Sequence, residues 1–338
     1  MEERLMKKFI VFCLLLCSAV ALTACGDSVA KENKKGLKEV SVMLDWYPNA
    51  IHSFLYVAID RGYFKEEGLD VTLQFPSNPT DPLTLTAAGQ STFGIYYQQD
   101  VIIAQANEGI PIKSIGPIVR SPLDQLMSLT ETNIKRPRDL EGKKIGFNGT
   151  PLGEATIKNM VKTDGGDPSK IELIDVGFEI VSALITKQVD AITGGLINHE
   201  LPVLEHKGYA ISTINPSDYG VPKSYSMVFV AGDKIINKEP KTVQAFLRAA
   251  NKGFDFAEKE PEQALGLLLK HQEKDNFPLT KSIEQQSLAL LNKLMATDDA
   301  AFLSDEDVNW DEQSKWLKEQ GIAEKIVPAN ELYSPFER

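Results

Sequence analysis

Between residues 40 and 230 the chain alternates short apolar segments with stretches of helical length, and this alternation is its most restrictive feature. Residues 40–45 and 144–147 are typical of buried strands, whereas residues 54–61 and 154–163 favour helices. Strands that alternate with helices form largely parallel sheets covered by helices. After residue 230 the pattern predicts a series of longer helices, beginning at residue 240. We therefore predict an α/β fold.

The alternation falls into two blocks, which indicates two α/β lobes. We expect residues 39–130 and 226–338 to build the first lobe and residues 131–225 the second. Ligands of α/β sheets bind in crevices at the carboxyl ends of strands. The sequence therefore predicts a ligand cleft between the two lobes.

The N-terminus carries a targeting pattern. Lys7 and Lys8 precede an apolar run over residues 9–22, which ends in Leu-Thr-Ala-Cys at Cys25. A basic start, a short apolar run and small residues are typical of a secretory signal over residues 1–24. The run is shorter than the roughly 20 residues of a spanning helix.

The Leu-Thr-Ala-Cys ending resembles a bacterial lipobox, which implies cleavage before Cys25 and a lipid on its thiol. Residues 25–38 are then a polar tether, and the protein is expected on the extracytoplasmic face of the cell membrane. A plain signal with an incidental cysteine, or an uncleaved anchor, is the alternative.

Composition excludes several classes of function. A net charge of -11 disfavours a nucleic-acid partner, which needs a basic face. The three cysteines all lie within residues 13–25, so the body has no disulfide, thiolate metal site or cysteine nucleophile. The four histidines form no H-E-x-x-H pattern, and no Gly-x-Ser-x-Gly elbow is present. We expect no metal, no cofactor and no enzymatic activity.

Three segments carry a family resemblance. Residues 61–71 (RGYFKEEGLDV), 86–94 (TAAGQSTFG) and 139–146 (DLEGKKIG) resemble the NMT1/THI5-like substrate-binding proteins. This family serves importers of nitrate, sulfonates, taurine and thiamin precursors. The resemblance implies a type II periplasmic-binding-protein fold that closes on its ligand like a hinge. It also implies the permease and ATPase subunits of an ABC importer as partners.

A narrower resemblance concerns the ligand. Residues 45–49 (DWYPN), followed by His52, together with Gly194-Gly195 and residues 198–200 (NHE), are similar to the thiamin-precursor branch. That branch implies an aminopyrimidine ligand, either formylaminopyrimidine or hydroxymethylpyrimidine. Ile197 departs from the aromatics of some relatives, and the cysteine-rich motif of the eukaryotic pyrimidine synthases is missing. Riboflavin, or an anion such as a sulfonate or nitrate, is the alternative ligand, and a sensor domain is the alternative role.

The candidate ligand-binding residues share a place at strand ends or helix starts. They are Asp45, Trp46, Tyr47, Asn49, His52, Tyr96, Gly149, Thr150, Asn198, Glu200 and Tyr225.

Each candidate has a chemical reason and an alternative. Trp46 and Tyr47 can stack on a flat ring, and the carboxylate of Glu200 can accept hydrogen bonds from its amino group. The helix start after Gly149-Thr150 can receive an anion or a carbonyl oxygen. Of the adjacent tyrosines at residues 96 and 97, strand alternation lets one face the cleft, and we favour the first. The alternatives are core packing for the aromatics, turn chemistry for Asn49 and His52, and a hinge position for Tyr225.

Overall fold

The computed structural model describes residues 32–78, 80–272, 278–297, 300–304 and 310–336. The predicted signal, Cys25 and the first half of the predicted tether lie outside these ranges. Within them, no helix combines the length and apolarity that crossing a bilayer requires.

The described strands form two five-stranded sheets. They are β1 (Lys38–Met43), β2 (Leu69–Gln74), β3 (Phe93–Tyr96), β4 (Ile112–Val119), β5 (Asp124–Leu129), β6 (Lys144–Phe147), β7 (Glu172–Asp175), β8 (Ala191–Leu196), β9 (Ile211–Ile214) and β10 (Met227–Gly232).

The described helices alternate with these strands and then continue alone to the C-terminus. They are α1 (Ser53–Asp60), α2 (Tyr63–Glu66), α3 (Asp81–Ala87), α4 (Gln98–Glu108), α5 (Pro151–Thr163), α6 (Ile180–Ile185), α7 (Glu200–His206), α8 (Asp233–Lys238), α9 (Pro240–Lys259), α10 (Pro261–Lys270), α11 (Lys281–Met295), α12 (Trp310–Glu319) and α13 (Ala329–Leu332).

Both sheets share one plan, a parallel core with one antiparallel insertion. The first sheet has the order β2-β1-β3-β10-β4, with β10 antiparallel to both neighbours. The second has the order β7-β6-β8-β5-β9, with β5 antiparallel to both neighbours. The chain therefore crosses between the sheets twice, after β4 and before β10. We call residues 38–119 with 227–336 the first lobe, and residues 124–214 the second lobe.

Strand β5 corrects the predicted boundary at residue 130. Its residues were assigned to the first lobe, but Leu126–Leu129 pair with β9 and Asp124 pairs with Leu196 of β8. The sequence marks this segment as a strand without indicating its partner, because its partners lie far along the chain. The first crossing thus falls between Val119 and Asp124.

The core of the first lobe forms where α9 covers the sheet. Phe246 of α9 is fully buried, and its ring stacks on Phe93 of β3 at 4.3 Å between centroids. Burying one such side chain stabilises the fold by about 1.5 to 3 kcal/mol. Trp310 and Trp316 are buried in a second cluster near α4. This packing fixes the strand ends from which the cleft is built.

Candidate ligand-binding cleft

Two adjoining chambers lie where strand ends of the two lobes meet. The smaller encloses about 420 Å³ and the larger about 800 Å³, both including space open to solvent. They share four lining residues: Tyr97, Asn148, Gly194 and Leu196. These residues follow or end β3, β6 and β8, so the cleft lies at the carboxyl ends of strands, as predicted.

The chambers bring together seven of the eleven candidate residues. Asp45, Trp46, Asn49, Asn198 and Glu200 line the smaller chamber, whereas Thr150 and Tyr225 line the larger. The remaining four candidates line neither, and each has another place in the fold.

His52 lies behind the wall of the smaller chamber, not at its surface. Its Nδ1 accepts a hydrogen bond from the backbone N–H of Asn49 at 3.2 Å, and its Nε2 lies 2.8 Å from Oδ1 of Asp45. Because Nδ1 accepts, Nε2 carries the proton and donates it to Asp45. The fully buried imidazole therefore positions Asp45, which lines the chamber, and is not itself part of the lining.

Asn49 combines the two roles that the sequence left open. It lines the smaller chamber, but its Oδ1 accepts from the N–H of Ile51 at 3.0 Å and its Nδ2 donates to the carbonyl of Tyr47 at 3.1 Å. These bonds cap the short helical turn Ala50–His52. The turn chemistry therefore occupies both polar ends of this side chain.

Tyr47 belongs to an aromatic cluster that joins the lobes. Its ring contacts Phe178 of the second lobe at 5.6 Å between centroids, and the ring of Trp46 contacts the same residue at 4.3 Å. Phe75 lies on the other side of Tyr47, at 6.1 Å. Tyr47 thus packs between lobes beside the cleft, whereas Trp46 also presents a face to the smaller chamber.

Tyr97, not Tyr96, faces the cleft. Tyr96 is buried in the cluster that contains Leu83 and Val101, so helices cover its face of the sheet. Tyr97 lies one residue past the end of β3, at the start of α4, and lines both chambers. Strand alternation correctly predicted that one of the two tyrosines faces the cleft. It could not show which face of β3 the helices would cover.

The turn after β6 separates the roles of Gly149 and Thr150. Gly149 has a φ of +75°, and a Cβ there would lie 2.6 Å from Oδ2 of Asp175, so the residue serves the turn. The hydroxyl of Thr150 caps α5 by accepting from the N–H of Gly153 at 3.2 Å. The same hydroxyl donates to Oδ1 of Asn148 at 3.0 Å, and Asn148 lines both chambers.

Glu200 and His199 form a buried pair in the wall of the smaller chamber. Oε1 of Glu200 lies 2.8 Å from Nδ1 of His199, and Oε2 accepts from the N–H of Leu196 at 2.9 Å. Burial raises the pKa of Glu200, but the charge and hydrogen bond of His199 outweigh it and leave the pKa lowered. Burial lowers the pKa of His199, but the charge and hydrogen bond of Glu200 bring it up to about 9. At neutral pH the pair is therefore a carboxylate beside an imidazolium.

Helix α11 of the first lobe reaches the loop that carries this pair. Nδ2 of Asn198 lies 3.3 Å from Oγ of Ser287, which is a hydrogen bond between the lobes. Oε2 of Glu284, on the same helix, accepts from the N–H of Ala50 at 2.7 Å. Oδ1 of Asn198 is buried and has no hydrogen-bond partner in the described part of the chain. This atom is an acceptor available at the smaller chamber.

The larger chamber contains two half-buried carboxyl groups, those of Asp100 and Asp124. Burial raises the pKa of Asp100 to about 7. Burial also raises the pKa of Asp124 to about 6, although hydrogen bonds from the Gly194 N–H and the Thr193 hydroxyl lower it. Tyr225, on the second crossing, donates its backbone N–H to Oε1 of Gln98 at 2.9 Å. This bond ties the crossing segment to the start of α4.

Sequence reasoning missed several wall residues. They are Tyr97, Gln98, Asp100, Asp124, Asn148 and His199. His199 lies between Asn198 and Glu200, and Asn148 directly precedes Gly149, so the sequence pointed to neighbours of these two residues. Asp124 had none, because its chamber is completed by residues from both lobes.

The lining is rich in carboxylates. Among the described residues that line the chambers neither lysine nor arginine occurs, and the imidazolium of His199 is paired with Glu200. No group of three or more potential metal-ligating side chains is found in the described ranges. The walls thus favour a neutral or cationic ligand with hydrogen-bond donors.

Comparison with known sequences shows a near full-length match. The NMT1/THI5-like family profile matches residues 49–264. The chain is 41% identical to the formylaminopyrimidine-binding protein of Halalkalibacterium halodurans, covering 97% of this chain and 99% of that one. It is 25% identical to the 4-amino-5-hydroxymethyl-2-methylpyrimidine phosphate synthase of Legionella pneumophila, covering 87% of this chain and 90% of that one.

Comparison with solved structures confirms the predicted fold. The alkanesulfonate-binding protein of Xanthomonas axonopodis pv. citri, solved with MOPS bound, superposes with a TM-score of 0.69. The match covers 90% of this chain and 100% of that one at 15% identity, which establishes the periplasmic-binding-protein architecture and not the ligand.

Proposed function

Because the chain belongs to the NMT1/THI5-like family, we propose that it is an extracytoplasmic receptor that captures a pyrimidine precursor of thiamin for an ABC importer. The ligand is formylaminopyrimidine or hydroxymethylpyrimidine, and it is delivered to the permease. Cys25 carries the lipid that holds the receptor at the membrane. The relative with 41% identity, a formylaminopyrimidine-binding protein, supports this choice of ligand.

The observation that carries the proposal is the lining of the smaller chamber. Trp46 and Tyr97 offer aromatic faces to a flat ring, and stacking contributes about 0.5 to 1.5 kcal/mol beyond burial. Asp45, Glu200 and Oδ1 of Asn198 supply acceptors. An aminopyrimidine matches this set, because it presents an amino donor beside its ring nitrogens.

The same lining disfavours the alternative anionic ligands. A sulfonate or nitrate favours cationic partners. No lysine or arginine lines the described chamber walls, and the charge of the His199 imidazolium is balanced by Glu200. The likeness to an alkanesulfonate-binding structure does not oppose this, since at 15% identity only the architecture is shared.

A binding role without turnover is also part of the proposal. The sequence lacks the cysteine-rich motif of the eukaryotic pyrimidine synthases, because every cysteine lies within residues 13–25. The 25% identity to the synthase of Legionella pneumophila supports a shared scaffold, and a scaffold does not determine activity.

Thermal unfolding in the presence of candidate ligands tests the proposal. The mature protein is titrated with formylaminopyrimidine, hydroxymethylpyrimidine, thiamin, riboflavin, taurine and nitrate. A ligand at a hundredfold excess over its Kd stabilises the folded state by about 2.7 kcal/mol. A saturable shift with the pyrimidines supports the proposal. A shift with taurine or nitrate alone overturns the ligand, and pyrimidine consumption over time overturns the binding-only role.

The membrane anchor needs a separate measurement. Cells that express the wild type or Cys25→Ala are fed a labelled fatty acid, and membrane and soluble fractions are compared. Label on the wild type alone, with the variant released or left unprocessed, supports the anchor. Equal behaviour of the two proteins contradicts it.

A further inference from the structure

The larger chamber extends the cleft beyond the space where the ring is proposed to bind. It adjoins the smaller chamber through Tyr97, Asn148, Gly194 and Leu196. A ring bound beside Trp46, as proposed, would lie in the smaller chamber. A substituent directed toward the four shared residues would then enter the larger one.

Gln98 offers an unpartnered donor in that chamber. The residue is 1% exposed, and its Oε1 is held by the backbone N–H of Tyr225 at 2.9 Å. Its Nε2 has no hydrogen-bond partner among the residues that the structure describes. Because the hydrogen bond from Tyr225 holds Oε1, the planar amide group cannot rotate freely, and the position of Nε2 is fixed as well. A buried donor without a partner is unfavourable, so this atom indicates a ligand acceptor.

The charge of the chamber limits what kind of acceptor fits. Asp100 and Asp124 line it together with Gln98, and no described lining residue is a lysine or arginine. A carboxylate, sulfonate or phosphate would meet like charge here and lack a cationic partner. An uncharged acceptor, such as an amide carbonyl or a hydroxyl oxygen, avoids both penalties.

We propose that the larger chamber receives an uncharged polar arm of the ligand, and that Gln98 recognises it by donating a hydrogen bond from Nε2 to the arm's oxygen. This inference rests on the proposed function and narrows its substrate class. The preferred ligand is an aminopyrimidine with an acceptor-bearing substituent, rather than the bare ring or a phosphate ester of it.

The test compares ligands that share one ring and differ in the arm. Calorimetric titrations use 4-amino-2-methylpyrimidines that carry a 5-methyl, 5-hydroxymethyl, 5-formylaminomethyl or phosphorylated 5-hydroxymethyl group. In the wild type we expect the neutral oxygen-bearing ligands to bind about three- to tenfold more tightly than the 5-methyl compound. We expect the phosphate ester to bind more weakly than its parent alcohol.

Two variants of Gln98 isolate the donor. Gln98→Glu keeps an acceptor for the Tyr225 N–H and replaces the Nε2 donor, whereas Gln98→Met removes both polar atoms. We expect both variants to lose the preference for the oxygen-bearing arms and to retain the affinity for the 5-methyl compound. Gln105→Glu is the matched control, because Gln105 lies on the same helix and donates to the carbonyl of Glu331, away from the chambers.

Each other outcome overturns a defined part of the inference. An equal loss for all four ligands makes Gln98 a structural residue, and a preserved arm preference in Gln98→Met removes it from recognition. Equal binding of the phosphate ester contradicts the charge argument. If the wild type binds none of the pyrimidines, the proposed function itself fails. Melting curves of the unliganded proteins show whether Gln98→Met folds. If it does not, Gln98→Glu is titrated at alkaline pH, where its carboxyl is ionised and cannot donate, and a preserved arm preference there overturns the inference.

Discussion

Nδ1 of His199 lies 2.8 Å from Oε1 of Glu200, so two opposite charges are held side by side in the wall of the smaller chamber. The pair orients the carboxylate while the N–H of Leu196 fixes its second oxygen. A carboxylate oxygen has two acceptor sites, so Glu200 keeps capacity for a ligand donor. The pair therefore holds the Glu200 carboxylate in position in the unliganded protein.

The stability of the protein should fall as the pH rises from 6.5 to 9. The folded pKa of His199, about 9, lies above its ordinary value of 6.5, because the charge of Glu200 outweighs burial. The contribution is complete below pH 6.5 and is lost as the pH passes the folded pKa, with a slope of at most about 1.4 kcal/mol per pH unit. Urea unfolding of the wild type and His199→Gln at several pH values measures it. Identical slopes in the two proteins would falsify the assignment.

Replacing Glu200 by glutamine should weaken ligand binding about tenfold or more. A hydrogen bond to a charged group is worth about 1.5 to 3 kcal/mol, and the substitution leaves a neutral amide in its place. Calorimetric titration with the best pyrimidine checks the change. Glu205→Gln is the control, because this exposed residue lies on the same helix, α7, and loses the same charge. Equal affinities of the two variants would exclude Glu200 from the site.

Truncating Trp46 should reduce affinity through the loss of a stacking face. We expect Trp46→Ala to lose about tenfold or more, whereas Trp46→Phe retains most of the binding, since stacking and burial act together. Equilibrium titration with the same ligand measures both variants. The alanine variant also loses the contact with Phe178, so Phe178→Ala is measured in parallel. If Phe178→Ala weakens binding as much as Trp46→Ala does, the contact between the lobes explains the loss.

Removing the hydroxyl of Ser287 should speed ligand release. The bond from Asn198 at 3.3 Å joins the lobes in the arrangement described, and a bond of this kind contributes about 0.5 to 1.5 kcal/mol. Ser287→Ala should therefore raise the dissociation rate about two- to tenfold. Stopped-flow displacement measures this rate. Ser282→Ala, an exposed position on the same helix, should leave it unchanged, and equal rates in both variants would exclude the bond.

Gly149→Ala should destabilise the second lobe more than Gly165→Ala does. Both glycines have a positive φ, +75° and +76°, which costs alanine about 1 to 2 kcal/mol. Only at Gly149 does the new Cβ also meet the Asp175 carboxylate, at 2.6 Å, and the N–H of Gly177 restrains that carboxylate. Chemical denaturation of the two variants gives the difference. Equal losses would show that Asp175 moves aside without cost.

The sequence anticipated the elements well because each strand and helix carries a local signal. The predicted strand at residues 144–147 and the predicted helix beginning at residue 240 occur with the same starts, as β6 and α9. The placement of β5 was missed because its pairing with β8 and β9 joins distant segments. Local periodicity contains no information on such partners.

The contrast between local signals and long-range packing also separates the site residues that the sequence predicted from those that it missed. Trp46 and Glu200 directly follow or begin elements, and the structure places both at the smaller chamber. Tyr96 and Tyr97 differ only in which face of β3 the helices cover, which depends on tertiary packing. Asp124 reaches the cleft only because the chain changes sheets immediately before it.

The position of β10 between β3 and β4 has a consequence for the order of folding. All strands of the second sheet come from the continuous stretch between Asp124 and Ile214, so that sheet can be completed as soon as this stretch is available. In the first sheet β10 is the strand that β4 joins among the described residues, and β10 follows the whole second sheet along the chain, so β4 cannot enter its sheet until that stretch has emerged. Until then β3 and β4 expose unpaired edges, which are prone to wrong association. The lobe that begins the chain is thus the one that finishes last, and chaperone protection matters most while β4 is unpaired.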